Sequence, residues 1–285
     1  MIRDEHKLVT VRTACGLLGV SRSGYYAWLT KPKKVDVDIF GQKVKRIFDT
    51  SRGVYGARRI RKELMREGLV ASRRRIAAKM YELELVAKAR RKTRATTDSD
   101  HKMPVAPNLL DRQFDVPGPN LVWVSDITYL STTQGWLYLA VVIDLYARKV
   151  VGWRISTRMK KELVMDALGM AIKRRKPAPG LICHSDRGSQ YCSHAYQDLL
   201  RKHGFVCSMS RKGECQDNAC AETFFHSLKV EWIYGEPIRS RYETTQRVRE
   251  YIEVFYNRQR LHSSNGYLSP DEFEKAIKCK FRVSA

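Results

Sequence analysis

The chain has 285 residues, room for one large domain or two to three small ones, and its 43% hydrophobic and 29% charged side chains exclude a disordered tail. Lys and Arg outnumber Asp and Glu by 53 to 30, a formal charge of +23, which attracts polyanions such as nucleic acid, an anionic membrane surface or an acidic protein. No apolar run reaches the roughly 18 residues of a spanning helix, residues 1–30 lack the order of a signal peptide, and the seven cysteines form no CxxC pair, so a reducing cytoplasm is the simplest compartment.

Residues 1–112 hold 27 basic against 12 acidic side chains, and residues 43–94 hold 18 against 5. These cations alternate with apolar positions, as on amphipathic helices. In residues 1–35, Val11, Ala14, Leu17 and Leu18 share a helical face, Gly19 stops the helix, and Ser21 caps a second helix carrying Tyr25 and Trp28. This is a short helix-turn-helix-like segment. In residues 36–92, Ile60, Leu64 and Met65 precede a turn at Gly68, and Ser72 caps a helix with Ile76 and Met80 on one side and Arg73, Arg74, Arg75 and Lys79 on the other. A recognition helix needs that division, one face for its partner helix and one for phosphates and base edges. Arg58 and Arg59 extend the basic surface. The same spacing also fits an ordinary helical hairpin with a soluble face.

Residues 93–119 read as a linker, polar at first and then punctuated by Pro104, Pro107, Pro117, Gly118 and Pro119. Three strands follow, Leu121 to Leu130, Trp136 to Ile143 after a Gln134-Gly135 turn, and Lys149 to Ile155. A helix over 160–174, a strand over 180–184, a helix over 193–203 and a strand over 205–209 complete an α/β pattern: a mixed sheet flanked by helices, spanning 120–275. Val248, Tyr251, Ile252, Phe255 and Tyr256 form one helical stripe, and Ser269-Pro270-Asp271-Glu272 caps a last helix ahead of a basic tail, 276–285.

Three carboxylates stand out. Asp126 falls in the middle of an apolar strand, where an ionised group needs a partner or a cation. Asp186 lies just past a strand end, where open sheets place ligand-binding groups. Glu222 opens a helix after the loop 211–221. Brought together, they would repel one another unless Mg²⁺ or Mn²⁺, which prefer oxygen ligands, neutralised them.

Thirty-five residues separate Asp186 from Glu222, and Lys229 lies two helical turns after Glu222 on the same face. This resembles the D-D-(35)-E signature of retroviral integrases and bacterial insertion-sequence transposases. Longer runs sharpen the likeness: Trp123-Val124-Ser125-Asp126-Ile127-Thr128-Tyr129, His184-Ser185-Asp186-Arg187-Gly188-Ser189-Gln190-Tyr191, Asp217-Asn218-Ala219, Glu222-Thr223-Phe224-Phe225, Leu228-Lys229 and Tyr256-Asn257-Arg258. Over essentially the whole chain it resembles the second-frame (OrfB-type) transposase subunit of the third insertion-sequence family. Glu214 and Gln216 depart from it, since Asn and an aromatic residue are usual there.

The resemblance implies a ribonuclease-H-like core after small all-helical units, with Asp126, Asp186 and Glu222 as catalytic residues and metal ligands. It implies two ions about 3.5–4 Å apart, Asp126 bridging both and Asp186 and Glu222 holding one each. It further implies binding to terminal inverted repeats, metal-dependent cleavage and strand transfer into target DNA, with Lys229 positioning a phosphate or terminal base. The implied partners are DNA, an upstream-frame (OrfA-type) protein or a fusion with it, and further copies of the chain on DNA, all in a nucleoid-associated cytoplasmic setting. Two other classes fit the residues: a structure-selective nuclease on the same fold, which would cut without joining, and a helix-turn-helix repressor with an inert core.

Several residues have plainer roles. Asp144 reads as the cap of a strand bend rather than a fourth metal ligand. His184 reads either as a satisfied strand-end histidine or as a neighbour that orients Asp186 or touches DNA. Arg258, Arg260 and His262 read as a basic edge within reach of DNA.

Overall fold

The computed structural model describes residues 10–30, 38–88 and 105–283, so residues 93–104 of the expected linker, residues 1–9 and 31–35 of the first segment and residues 284–285 of the tail lie outside it. The chain divides into two compact units, residues 1–43 and 44–285. Among the described residues no helix is long and apolar enough to cross a membrane.

In the first unit, α1 (Val11–Leu17) and α2 (Arg22–Thr30) meet at Gly19, whose φ of 64° an L side chain rarely adopts. Ser21 Oγ accepts from the Gly24 N–H at 3.0 Å. Of the expected apolar residues Tyr25 is buried, but Leu17, Leu18 and Trp28 are exposed, and Cys15 is covered in their place.

Helix α3 (Ile39–Thr50), which the spacing did not single out, buries Val44 and Ile47. It precedes the basic pair α4 (Ala57–Arg66) and α5 (Arg73–Glu82). Ile60, Leu64, Ile76 and Met80 form their common core, as the spacing predicts. Met65 does not join them and is exposed, because it lies one position round from Leu64 on the solvent side. Ser72 caps α5 by accepting from the Arg75 N–H at 3.1 Å.

The sheet has the order β3-β2-β1-β4-β5, with β1 (Val122–Thr132), β2 (Gly135–Asp144) and β3 (Lys149–Ser156) antiparallel and β4 (Ile182–Ser185) and β5 (Val206–Met209) parallel to β1. This is the mixed α/β, ribonuclease-H-like arrangement expected. Strand side chains alternate, so Trp123 and Ile127 join Ala140 and Val142 against α6 (Lys161–Arg175) and α8 (His194–Lys202), while Val124, Asp126 and Thr128 face the other way. Helix α6 sits close because residue 152 is glycine: a Cβ there would stand 2.2 Å from the Ala167 carbonyl oxygen.

After the short helix α7 (Ser189–Cys192) and α8, the chain returns along β5 to α9 (Ala219–Leu228), which packs on β1 and runs on as a π-helical turn, Lys229–Ile233. Helix α10 (Arg241–Glu250) likewise continues as a π-helical turn, Tyr251–Tyr256, and α11 (Pro270–Val283) closes the chain. Phe224, Trp232, Tyr251, Phe255 and Tyr256 form an aromatic cluster between these helices, with Phe224 edge-on to Tyr256 (centroids 4.8 Å apart at 89°) and Trp232 stacked on Phe255.

Residues 105–119 hold no helix or strand, yet they do not hang free. Leu110 is buried, the Pro107 carbonyl accepts from Met209 N–H at 3.2 Å, and Leu109 N–H donates to Ser208 Oγ at 2.9 Å.

Candidate active site

The parallel register between β1 and β4 pairs Ser125 with Ser185. Asp126, within β1, and Asp186, just past the end of β4, each follow one member of this pair and so lie near one another. Asp186 Oδ1 accepts from the Gly188 N–H at 3.0 Å, which folds the chain back into α7. Asp126 Oδ1 accepts from the Ile127 N–H at 2.7 Å. Both aspartates are half-buried.

Glu222 arrives from the far side of the loop, in the first turn of α9. The loop is closed by Asp217, a fully buried carboxylate that accepts from the Arg211 N–H at 2.9 Å, Arg112 Nε at 2.8 Å and Asn108 Nδ2 at 2.9 Å. Burial alone would raise its pKa, but these donors outweigh it and hold the carboxyl down to about 2. The next residue, Asn218, donates from Nδ2 to the Ser125 carbonyl at 3.2 Å, one position before Asp126. Glu222 is thereby tied to the strand that carries its partner carboxylate.

The electrostatics record the crowding. Burial, then the charge of Asp186 and to a smaller degree that of Glu222, push the Asp126 carboxyl well above the ordinary range, while the Ile127 N–H and Lys229 oppose this. Burial also raises the Glu222 carboxyl. Burial lowers the Lys229 ammonium pKa, with Asp126 opposing, and its Nζ stands 4.9 Å from the Tyr129 ring centroid. Tyr191 is buried beside the aspartates, and its hydroxyl finds no hydrogen-bond partner among the described residues.

An all-oxygen, mutually repelling set fits a hard divalent cation. Among the described residues no three His, Cys, Asp or Glu side chains already converge tightly enough to hold an ion. Glu222 is exposed.

The other expected residues divide sharply. Arg58, Arg73, Arg74 and Arg75 are exposed. Lys79 pairs with Glu82 at 2.6 Å and is mostly covered. Arg59 does not face solvent as a DNA contact requires: Nε donates to the Leu261 carbonyl at 3.1 Å and Nη1 stands 3.7 Å from Glu231 Oε1. Arg260 and His262 are likewise buried rather than at a basic edge, Arg260 because it forms a bidentate pair with Glu231. Arg258 remains exposed.

Asp144 caps the strand bend as expected, accepting from Tyr146 N–H at 3.1 Å, Asn120 N–H at 2.9 Å and Arg175 Nη2 at 3.0 Å. His184 is fully buried between Ser208 Oγ at 2.9 Å and Ser210 Oγ at 3.2 Å, and burial lowers its pKa to about 4. It is the satisfied histidine of the two readings. At the divergent positions, Glu214 pairs with Arg112 at 2.5 Å and Gln216 is exposed. The clamp of Asn108 and Arg112 on Asp217 was not read from the sequence, because two of its members fall in the stretch taken for a linker.

Comparisons with known proteins give the family of the chain. The chain matches the Integrase core domain family over residues 116–215, a second Integrase core domain family over 222–276 and the HTH-like domain family over 36–93. It is 45% identical over 264 residues to the 31 kDa protein of insertion element IS600 of Shigella sonnei, covering 92% of this chain and 97% of that one. It is 46% identical over 270 residues to the transposase InsF for insertion sequence IS3A of Escherichia coli (strain K12), covering 93% and 94%. A cryoEM structure of a simian T-cell lymphotropic virus intasome with PP2A regulatory subunit B56 gamma aligns at a TM-score of 0.48 and 14% identity, over 81% of this chain and 74% of that one. With its HTH-like domain, its integrase core and relatives of this closeness over almost its full length, the chain belongs to the IS3 family of insertion-sequence transposases.

Proposed function

We propose that this protein binds the terminal inverted repeats of an insertion sequence and, with Asp126, Asp186 and Glu222, cleaves phosphodiester bonds and transfers the strand ends into target DNA. The β1–β4 register, which brings Asp126 near Asp186, is the observation that supports this reading, and burial together with the charge of Asp186 raises the Asp126 carboxyl. Asp126, Asp186 and Glu222 would hold two Mg²⁺ or Mn²⁺ ions. Bound there, the cations would activate a water or a 3′ hydroxyl and stabilise the leaving oxygen.

The chain's own residues supply the rest. The Asp217–Asn218 clamp keeps α9 against β1, so Glu222 has only a short path to close. Lys229, on the same face and beside Tyr129, meets a phosphate or terminal base of the bound end. Arg73, Arg74 and Arg75 at the start of α5, with Arg58, contact DNA, supported by their exposure on the basic pair. Action on DNA in the cytoplasm, as an oligomer and together with the upstream-frame product, is supported by family membership.

The test uses purified protein, a duplex of the terminal repeat and Mg²⁺. Asp126→Asn, Asp186→Asn and Glu222→Gln each abolish joined product and leave end binding intact. Cleavage or joining that survives all three substitutions would sink the reading, and cleavage without joining in the unaltered protein would favour a nuclease.

A further inference from the structure

One side chain of the basic helical pair and one from the segment that follows it end on a single residue of the helix that carries Glu222. Lys88 Nζ, just after α5, donates to the Glu231 carbonyl oxygen at 2.9 Å, and Arg59 Nη1, on α4, stands 3.7 Å from Glu231 Oε1. Glu231 is 7% exposed, and its charge is already met by others. Arg260 donates from Nε at 2.7 Å and from Nη2 at 2.5 Å, and the Tyr251 hydroxyl donates at 3.0 Å. A bidentate guanidinium and a hydroxyl suffice for one buried carboxylate.

The Arg59 contact is therefore surplus to the solvation of the carboxylate, Lys88 holds the main-chain carbonyl instead, and the Arg59 contact carries a cost. Burial, and then the charge of Arg260 close by, disfavour the Arg59 cation. The neighbouring residue is held as well: the Arg52 guanidinium lies 4.3 Å from the Trp232 ring centroid. Glu231 follows Glu222 by nine residues, about 13 Å of helix at 1.5 Å per residue. It sits in the π-helical turn Lys229–Ile233, an irregularity that often marks functional sites.

We propose that Glu231 is a positioning residue: anchored by Arg59 and Lys88, it sets the height and rotation of the helix that presents Glu222 and Lys229. A DNA end held by the helical pair thus bears on the third carboxylate through Arg59 of α4 and through Lys88 in the segment after α5. This rests on the catalytic reading above, in which Glu222 completes the metal-binding set.

The test compares the full chain carrying Arg59→Gln with Lys88→Gln, Lys88→Gln alone, Arg59→Lys, and Glu222→Gln as reference. Four quantities are read: Mn²⁺ binding to the DNA-free protein by electron paramagnetic resonance, thermal unfolding, terminal-repeat binding, and joining in Mg²⁺. The double variant keeps its end binding but holds Mn²⁺ about tenfold more weakly and needs correspondingly more Mg²⁺ to join. Lys88→Gln, which leaves the buried ions untouched, moves Mn²⁺ affinity the same way by about threefold at an unchanged unfolding temperature, and Arg59→Lys recovers most of the loss. Unchanged Mn²⁺ affinity in both Lys88 variants, with Glu222→Gln impaired, overturns the proposal and leaves the catalytic reading standing. End binding that falls while Mn²⁺ affinity holds also overturns it, and makes Arg59 and Lys88 DNA contacts. Joining that survives Glu222→Gln overturns the catalytic reading and this proposal with it.

Discussion

Asp126 stands between a second carboxylate and a lysine, and the two neighbours pull its proton in opposite directions. Burial and Asp186 raise the carboxyl, and Lys229 lowers it. In the proposed metal site only the deprotonated carboxyl would bind a cation, so metal affinity would fall as pH drops through this raised value. Lys229→Met removes the opposing charge and raises the Asp126 carboxyl further. The pH midpoint of Mn²⁺ binding, measured by titration of the DNA-free protein, therefore moves upward, and a midpoint that stays put would separate Lys229 from the aspartate pair. Among single residues, Asp126 stood out in the sequence because an ionised group in the middle of an apolar strand needs a partner or a cation, and Asp186 and Glu222 stood out through their spacing from it. Arg59, Arg260 and His262 were not: a cation in sequence looks the same whether its partner is a phosphate or a carboxylate far along the chain, and the Glu231 that buries two of them lies 172 residues beyond Arg59 and 29 before Arg260.

Helix α5 carries three consecutive exposed arginines in its first turn, behind a serine cap. Arginines at a helix start work against the helix dipole, so this placement is poor for stability and good for reaching an anion. Arg73→Ala with Arg75→Ala weakens binding to the terminal repeat across all sequences and lowers the slope of log affinity against log salt by about one for each phosphate that the variant no longer neutralises. Binding assays across a salt series measure it, and an unchanged slope returns the helix to a structural role. Strands β1 to β3 and helices α4 and α5 were readable because apolar periodicity of 2 or 3.6 survives without tertiary information. The segment 105–119 was not, since proline-rich chain with no periodicity looks like a linker even where Leu110 is buried and the Pro107 carbonyl bonds to Met209 of β5.

At the scale of the whole molecule, the basic helical pair and the sheet share one unit, residues 44–285. Tyr55 makes two bonds across to the carboxyl-terminal segment: its hydroxyl donates to the Gln259 carbonyl at 3.1 Å and accepts from the Leu261 N–H at 2.9 Å. The Glu231–Arg260 pair lies beside them. Arg260→Met leaves Glu231 buried with its main partner gone and destabilises the fold by about 3–5 kcal/mol, whereas Arg260→Met with Glu231→Leu costs less because the buried carboxylate is gone too. Denaturant unfolding of both variants gives the comparison, and equal losses would mean that the pair matters only as packing.

The 35-residue interval that marks the family takes on another meaning once the Asp217 clamp is known. It is a contour length, whereas Glu222 is placed by a chord, from Asp217 and Asn218 back to Arg211 and Ser125. Inside that chord, Lys212 to Gln216 bulges outward, and a Cβ at Gly213 would meet nothing within 4 Å. Extra residues there would add little closure entropy and leave the carboxylate where it stands. The count is a mark of ancestry, and the chord is the dimension on which the chemistry depends.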